Sequence, residues 1–254
     1  MRKYIWEIII GGVVVAIIAG LVLLYIQFIK DYEHRLTKLE KDFEHCVDCS
    51  KRTKTIGDYP YTVYTGVDVA SNGEVLLNVQ IDLLSEQFRW RCGSITEIVR
   101  GDDVVDIGKV IRQYHDNAEL ENALGIVCIG TASSEGQLIG EQTRAGDRVE
   151  TLINLVSSNL NSSKRMPIYG LNFGKHIGST NTPCSDATLE QRRVILIKLI
   201  ERSDKLTDDK LEESLKRILL EKASNPAYNF PIDIRNYSMF RNNEKMLIYG
   251  RNQK

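Results

Sequence analysis

The sequence has no excess of charge of either sign. Its 33 lysines and arginines almost balance its 34 aspartates and glutamates, which leaves a formal net charge of −1 and a pI near 6.5. Domains that bind nucleic acid through its phosphates are usually strongly basic, with the positive charge gathered on one face. Nucleic acid is therefore not an expected partner.

Recognisable catalytic motifs are also missing. The 254 residues contain no nucleophile elbow, no phosphate-binding loop and no pair of metal ligands at helical spacing. The four histidines are scattered along the chain: His34, His45, His115 and His176. We therefore expect a non-catalytic protein that uses no cofactor.

Cysteine is scarce and odd in number. The five residues are Cys46, Cys49, Cys92, Cys128 and Cys184. At least one thiol would stay unpaired in an oxidising compartment, so the count favours a reducing one. Cys46 and Cys49 have the spacing of a zinc-binding or redox-active pair, but zinc needs four ligands and no second pair follows. They are weak metal candidates, and a linker with free thiols is the simpler interpretation.

The sequence does contain one long apolar segment, near the amino terminus. Residues 8–29 carry no charge, and a helix of that length reaches about 33 Å, enough to cross a hydrocarbon core of about 30 Å. A cleaved signal peptide would have an apolar region of about 7 to 15 residues before a small-x-small cleavage site. Here the apolar run continues past Gly20. The sequence predicts an uncleaved, single-pass anchor in the lipid bilayer.

Small residues inside this segment indicate a homodimer. Gly12, Ala16 and Gly20 recur every four residues, so they share one helix face, where a second helix can approach closely. Apolar residues with the spacing of a two-stranded coiled coil follow directly: Tyr32, Leu36, Leu39 and Phe43. The alternative is that small residues are merely common in membrane helices and that the coiled-coil pattern is too short.

Hydrophobic periodicity predicts an α+β domain after the anchor. Strands are expected at four places: 75–83, 125–129, 168–173 and 193–200. Helices are expected at three places: 104–114, 141–158 and 206–222. Residues 94–103 are polar and predict a loop. The four strands and the first two helices follow the order strand, helix, strand, helix, strand, strand, which is typical of a mixed sheet with helices on one face.

These elements divide the chain into five predicted parts. They are a short tail at 1–7, the transmembrane helix at 8–29, a juxtamembrane helix or linker at 30–54, the α+β domain at 55–202, and a C-terminal helix and tail at 203–254. The last part contains apolar residues that we expect to pack onto the domain: Phe230, Ile232, Ile234, Tyr237 and Phe240.

Three short motifs occur in a recognisable order. Residues 130–136 read Gly-Thr-Ala-Ser-Ser-Glu-Gly, Arg148 follows on the next predicted helix, and residues 191–194 read Gln-Arg-Arg-Val. This set resembles the peptidoglycan-binding domain of the OmpA C-terminal and MotB type, which has Gly-His-Thr-Asp-x-x-Gly, then Arg-Ala, then Asn-Arg-Arg-Val. Aligning the motif glycines places the family's helix arginine on Arg148 without a gap. The resemblance covers about residues 75–201 and implies an OmpA-like βαβαββ sandwich in a bacterial envelope protein.

The resemblance also implies a ligand site, with one departure. In the family, an aspartate and the helix arginine bind the amine and carboxylate of a diaminopimelate side chain, a pairing that needs one group of each sign. Arg148 matches the arginine, but Ser133 replaces the aspartate and Glu141 replaces a family asparagine. Losing half of a buried ion pair costs about 2 to 5 kcal/mol. Either Glu135 or Glu141 supplies the missing charge, or the site is empty and the fold serves protein contacts.

Two functions follow from these observations. In the first, a single-pass protein of the bacterial inner membrane presents its domain to the periplasm and contacts peptidoglycan peptide through Ser133, Glu135, Glu141 and Arg148. In the second, the protein is a structural or regulatory subunit of a membrane complex, and a cytoplasmic domain binds an unknown protein partner. The cysteine count, the missing aspartate and the basic residues that follow the anchor favour the second, and the side of the membrane stays open.

Overall fold

The computed structural model describes six stretches of the chain, together with the isolated residues Tyr25, Gln27 and Lys30. The stretches are 51–56, 59–84, 88–117, 123–160, 166–178 and 186–249. The chain divides into two units, Met1–Cys49 and Ser50–Lys254. In the first unit, the three described residues are helical and exposed.

The predicted anchor falls almost wholly outside the described residues. None of the described helices is long and apolar enough to cross a membrane. The described set leaves out the residues of the predicted dimer face and the weak metal candidates: Gly12, Ala16, Gly20, Cys46 and Cys49. The anchor, the dimer and the cysteine pair therefore stay predictions.

Two β-sheets form the framework of the second unit. The strands of the larger sheet are β1 (Lys51–Ile56), β2 (Tyr59–Val69), β3 (Val75–Leu83), β7 (Gly125–Ala132), β8 (Ile168–Lys175), β9 (Ile195–Arg202) and β10 (Leu247–Tyr249). The smaller sheet consists of β4 (Arg89–Trp90), β5 (Glu97–Arg100) and β6 (Asp103–Asp106). The larger sheet has the order β1-β2-β3-β9-β7-β8-β10. Its neighbours are antiparallel except β7 and β8, so the predicted mixed sheet is confirmed.

The position of β9 brings distant motifs together. This strand lies between β3 and β7 although it comes after β8 in the chain. Ile129 of β7 is paired with Ile195 of β9. The 130–136 motif leaves β7 at this level, and the 191–194 motif enters β9 there. The sheet topology therefore places the two motifs side by side.

Helices and short turns complete the described part of the unit. The α-helices are α1 (Ile107–Asn117), α2 (Leu138–Asn159), α3 (Asp208–Ser224) and α4 (Ser238–Arg241). Three 3₁₀ turns cover Asp186–Gln191, Pro226–Tyr228 and Ile234–Asn236. The prediction that the first helix includes Val104 and Val105 was wrong, because both residues belong to β6.

The two helices of the predicted α+β domain pack on the same face of the larger sheet, as expected, and the C-terminal helix covers the other face. Apolar residues of α1 and α2 pack on one face, and those of α3 and the C-terminal segment pack on the other. Residues 195–199 of β9 are buried one after another, as expected for a strand enclosed on both sides. Ile232, Ile234 and Tyr237 lie in the second core, with Phe230 and Phe240 packed against it. The prediction that the tail packs onto the domain is confirmed.

The predicted loop at 94–103 is also wrong, because it contains β5 and the start of β6. These strands are short, and Ile98 is the buried residue of β5. Most residues of β6 are exposed. A single buried side chain in four residues leaves no alternation that a periodicity analysis could detect.

Candidate functional site

The 130–136 motif connects β7 to α2, and its two glycines have different roles. At Gly136 the backbone has a φ of +75°, a conformation that glycine adopts at little cost. At Gly130 a Cβ would come within 1.9 Å of the Ala145 carbonyl oxygen. The absence of a side chain at Gly130 therefore lets α2 pack directly against β7, which fixes the position of Arg148 on that helix.

Arg148 lies in the interior and not in an open cleft. Its side chain is 1% exposed. The Nε, Nη1 and Nη2 groups donate to the main-chain carbonyls of Ser94, Thr131 and Arg91 at 3.0, 2.6 and 3.2 Å. The guanidinium carbon is 5.2 Å from the centroid of the Trp90 ring, within the range of a cation–π contact. Backbone oxygens thus take the place that a ligand carboxylate would need.

Burial, together with the nearby positive charges of Arg144 and Arg192, lowers the pKa of Arg148 to about 9. The negative charge of Glu141 opposes this shift. The side chain is still cationic at neutral pH. It is a buried cation that the three carbonyls and the Trp90 ring solvate.

Ser133 and Glu135 come together as half of the predicted site. The Ser133 hydroxyl donates to Oε2 of Glu135 at 3.1 Å, and the Thr188 hydroxyl donates to Oε1. Both Ser133 and Glu135 are buried, at 4% and 8% exposure. The Glu135 carboxylate is therefore folded back beside position 133, where the family resemblance expects a carboxylate. Of the two candidates for the missing charge, Glu135 is the one in contact with Ser133.

Glu141 has a different partner. Its Oε1 accepts a short hydrogen bond from Nη1 of Arg144, one helical turn further along α2. The same oxygen would lie 2.6 Å from a Cβ placed on Gly136, so Glu141 covers the motif turn. The structure places Glu141 in a local ion pair with Arg144.

Four residues that the sequence analysis did not select cover the site. Arg91, Cys92, Gly93 and Ser94 connect β4 to β5, and we call them the 91–94 turn. The Ser94 N–H donates to the Arg91 carbonyl at 3.0 Å, and Gly93 has a φ of +73°. The carbonyls of Arg91 and Ser94 are two of the three that accept from Arg148. The glycine after Cys92 was the signal for a tight turn, but nothing local relates it to a helix more than fifty residues away.

Cys92 is disulfide-bonded, to a cysteine outside the described residues. Its sulfur lies 3.8 Å from Oε2 of Glu135, a van der Waals contact, because a disulfide sulfur carries no proton to donate. Cys128 is a free thiol with no exposed surface, and burial raises its pKa well above its usual value. A thiol in such a place is inert. The odd cysteine count therefore no longer favours a reducing compartment.

The Gln-Arg-Arg-Val motif holds the 130–136 motif in place. The Ser134 N–H donates to the Gln191 side-chain oxygen at 2.8 Å, and the Thr131 hydroxyl donates to the Arg193 carbonyl at 3.2 Å. Arg193 and Arg89 both pair with Glu190, the latter at 2.6 Å. Arg89 and Arg193 therefore hold the turn that precedes β9. Neither was a predicted site residue.

Comparisons with solved structures give a distant likeness. No family model matches the sequence, and no curated protein matches it. Among solved structures, the chain is similar to the "OmpA-like domain of FopA1 from Francisella tularensis subsp. tularensis SCHU S4", with 13% identity and a TM-score of 0.30, over 56% of this chain and 84% of that one. At this distance the likeness assigns neither family membership nor a site.

Proposed function

We propose that this chain is a membrane-tethered, non-catalytic binding module whose second unit works in the bacterial periplasm and contacts peptidoglycan peptide. The observation that carries the proposal is the hydrogen bond between Ser133 and Glu135, at 3.1 Å. It supports a carboxylate at the position where the family aspartate is missing. Together with Arg148, the site then holds one group of each sign, which a ligand end with an amine and a carboxylate requires.

The Cys92 disulfide supports the periplasmic side. Disulfides form and persist in oxidising compartments and are rare in the cytosol, where thiols are kept reduced. The remaining thiol that the described residues contain, Cys128, is sequestered in the core and needs no partner. This favours the first of the two functions over a cytoplasmic subunit.

A second candidate, contact with a protein partner, is favoured by the state of Arg148. Its guanidinium already donates to three main-chain carbonyls, so a ligand carboxylate must displace at least part of that set. Leu138 and Ile139, at the start of α2 just after the motif, are 44% and 77% exposed. Exposed apolar side chains beside a closed site are compatible with a surface that binds another protein.

A reporter fusion tests the side of the membrane. The full-length chain would carry a C-terminal reporter that is active only in the periplasm or, in a parallel fusion, only in the cytoplasm. We expect activity from the periplasmic reporter alone. Activity from the cytoplasmic reporter alone would end the wall-binding proposal and leave the protein-partner candidate.

Sedimentation with purified sacculi tests the ligand. Glu135→Gln keeps the shape of the side chain and removes its charge, and we expect it to weaken retention by about tenfold or more, since charged hydrogen bonds contribute about 1.5 to 3 kcal/mol. Glu150→Gln, an exposed position on the same helix as Arg148, is the matched control. Equal retention of all three proteins would exclude a site that depends on Glu135.

A further inference from the structure

The 91–94 turn covers both charged groups on which the proposed function depends. Two of its carbonyls accept hydrogen bonds from Arg148, and the sulfur of Cys92 touches the Glu135 carboxylate. Arg148 and Glu135 are 1% and 8% exposed as a result of this packing and that of the strands beneath. The turn therefore restricts access to both charged groups while it stays in place.

Apart from the disulfide, the other interactions of the turn are local or exposed. The Ser94 hydroxyl oxygen accepts hydrogen bonds from the N–H groups of Thr96 and Glu97 at 3.2 and 2.9 Å. Arg91 pairs with Glu97 at 2.6 Å, but their side chains are 52% and 42% exposed, and ion pairs of this kind contribute little in water. The Arg91 N–H donates to the Glu97 carbonyl at 3.0 Å. The disulfide of Cys92 is a covalent link in the middle of the same turn. It restrains the turn in a way that the exposed ion pair cannot.

We propose that the 91–94 turn is a lid over Arg148 and Glu135, that the Cys92 disulfide keeps it closed, and that a dithiol reductant opens it. One thiolate of the dithiol attacks a sulfur of the disulfide, which forms a mixed disulfide and releases one cysteine thiolate. The second thiol of the reductant then displaces the other cysteine. The protein gains two electrons and two protons as two thiols, and the dithiol leaves as a cyclic disulfide.

Opening exchanges two of the three carbonyl partners of Arg148, those of Arg91 and Ser94, for water or for a ligand carboxylate, whereas the Thr131 carbonyl of β7 stays. Arg148 then faces outward with Glu135, and the two present opposite charges to the same space. The identity of the ligand that enters rests on the proposed function, whereas the closure rests on the contacts of the turn. The two inferences can therefore fail separately.

Trp90 reports on the lid directly. The chain contains two tryptophans, Trp6 and Trp90, so Trp6→Phe leaves Trp90 as the one tryptophan, which is excited selectively at a wavelength that tyrosine does not absorb. Trp90 has no exposed surface and lies next to the turn, over the guanidinium of Arg148. When the detergent-solubilised full-length chain is reduced with dithiothreitol, we expect red-shifted emission and stronger quenching by acrylamide. The amides of the turn are expected to exchange about thirtyfold faster, which corresponds to about 2 kcal/mol.

Two cysteine variants form a matched pair. Cys92→Ser removes the disulfide and is expected to show the open signals without reductant, whereas Cys128→Ser removes the buried free thiol and should respond to dithiothreitol as the parent does. If thiol titration shows that the disulfide is reduced and Trp90 does not change, the lid proposal is wrong. It is also wrong if reduction abolishes the far-ultraviolet circular dichroism, because the whole unit then unfolds.

Sacculus binding separates the lid from the proposed function. Stronger retention of the reduced protein supports both inferences. If Trp90 reports that the lid opens but sacculi retain neither redox form, the lid proposal is supported and the wall-binding function is wrong. Equal retention in both forms, with Trp90 unchanged, would leave the function and overturn the lid.

Discussion

At the scale of single residues, burial decides which partners the charged side chains take. Arg148 occupies the helix position that the motifs predicted, but its donors meet main-chain carbonyls. Glu135, and not Glu141, stands beside Ser133. A desolvated charge without partners costs several kcal/mol, so each buried charged group must find a partner in the folded chain.

A second buried charge cluster lies under α1 and allows a sharp test. Asp82 accepts a short hydrogen bond from Tyr114 and one of 2.8 Å from Gln80, and its carboxylate lies 3.5 Å from the Lys198 ammonium. We expect Lys198→Met to lower the free energy of unfolding by about 3 kcal/mol, because the Asp82 charge stays buried without its cation. Urea denaturation of the full-length chain in detergent at pH 7 measures this loss.

The double variant Asp82→Asn/Lys198→Met provides the control and a pH dependence. Burial raises the pKa of Asp82 above 3.8, although Lys198, Tyr114 and Gln80 act to lower it. The folded state therefore binds the proton more tightly, so the contribution of Asp82 is fully present below pH 3.8 and is lost as the pH rises through its raised pKa. The double variant should lack that decline and should be more stable at pH 7 than Lys198→Met. A double variant less stable than the single one would contradict the assignment.

At the scale of elements, the sequence predicted what strong periodicity encodes. The central strands β3, β7, β8 and β9 and helices α2 and α3 follow from their apolar patterns. The smaller sheet was not predicted, because its strands have two to four residues and little buried surface. The lid over Arg148 could not be predicted from the sequence either. The contacts of residues 91 and 94 with residue 148 form only in the tertiary fold, and no local sequence pattern indicates them.

The packing of α2 on β7 makes Gly130 irreplaceable. A Cβ there would lie 1.9 Å from the Ala145 carbonyl oxygen and 2.6 Å from Cγ2 of Val149, so Gly130→Ala forces helix and strand apart. We expect it to lower the free energy of unfolding by about 3 kcal/mol, as overpacked cores do. Gly140→Ala is the control, because its Cβ meets nothing within 4 Å and it should stabilise the helix by about 0.5 to 1 kcal/mol. If thermal unfolding shows that Gly130→Ala is more stable than Gly140→Ala, this role of Gly130 in helix packing is wrong.

Asp68 joins β2 to α3 through its carboxylate. Arg217 donates to it at 2.9 and 2.6 Å, and Ser214 donates to it as well. Burial pushes the pKa of Asp68 up, but the hydrogen bonds and the charge of Arg217 outweigh it and leave the pKa below 3.8. Its contribution is present above pH 3.8 and is lost as the pH falls through the lowered pKa.

We therefore expect Asp68→Asn to lower the free energy of unfolding by about 1 to 2 kcal/mol at pH 7, since Arg217 is half exposed and water screens part of the interaction. The difference from the parent should shrink as the pH falls below 3.8. Asp204→Asn changes an exposed aspartate and should have no comparable effect. Denaturant titrations at pH 7 and pH 3 make the comparison, and an equal loss at both pH values would rule out the proposed role of the charge.

At the scale of the whole unit, the fold depends on layers on both faces of one sheet. The motifs, Arg148 and the lid all lie in the part that α1 and α2 cover, whereas α3 and the C-terminal segment enclose the opposite face. Glu212 of α3 also accepts the main-chain N–H groups of Met246 and Leu247 at 3.1 and 3.0 Å. The C-terminal segment is therefore an integral layer of the domain, and the site rests on a sheet that this layer completes.

Truncation tests this dependence on the second layer. A chain that ends after Lys205 loses ten buried side chains of the second core: Leu206, Leu211, Leu215, Ile218, Leu219, Ile232, Ile234, Tyr237, Met246 and Leu247. Each such side chain contributes about 1.5 to 3 kcal/mol when buried, so the sum exceeds about 10 kcal/mol, comparable to the total stability of a typical domain. We expect the truncated chain to bind a hydrophobic dye and to lose cooperative thermal unfolding, whereas a chain that ends after Tyr249 keeps both layers and unfolds cooperatively. Cooperative unfolding of the shorter chain would show that the first layer and the sheet fold alone.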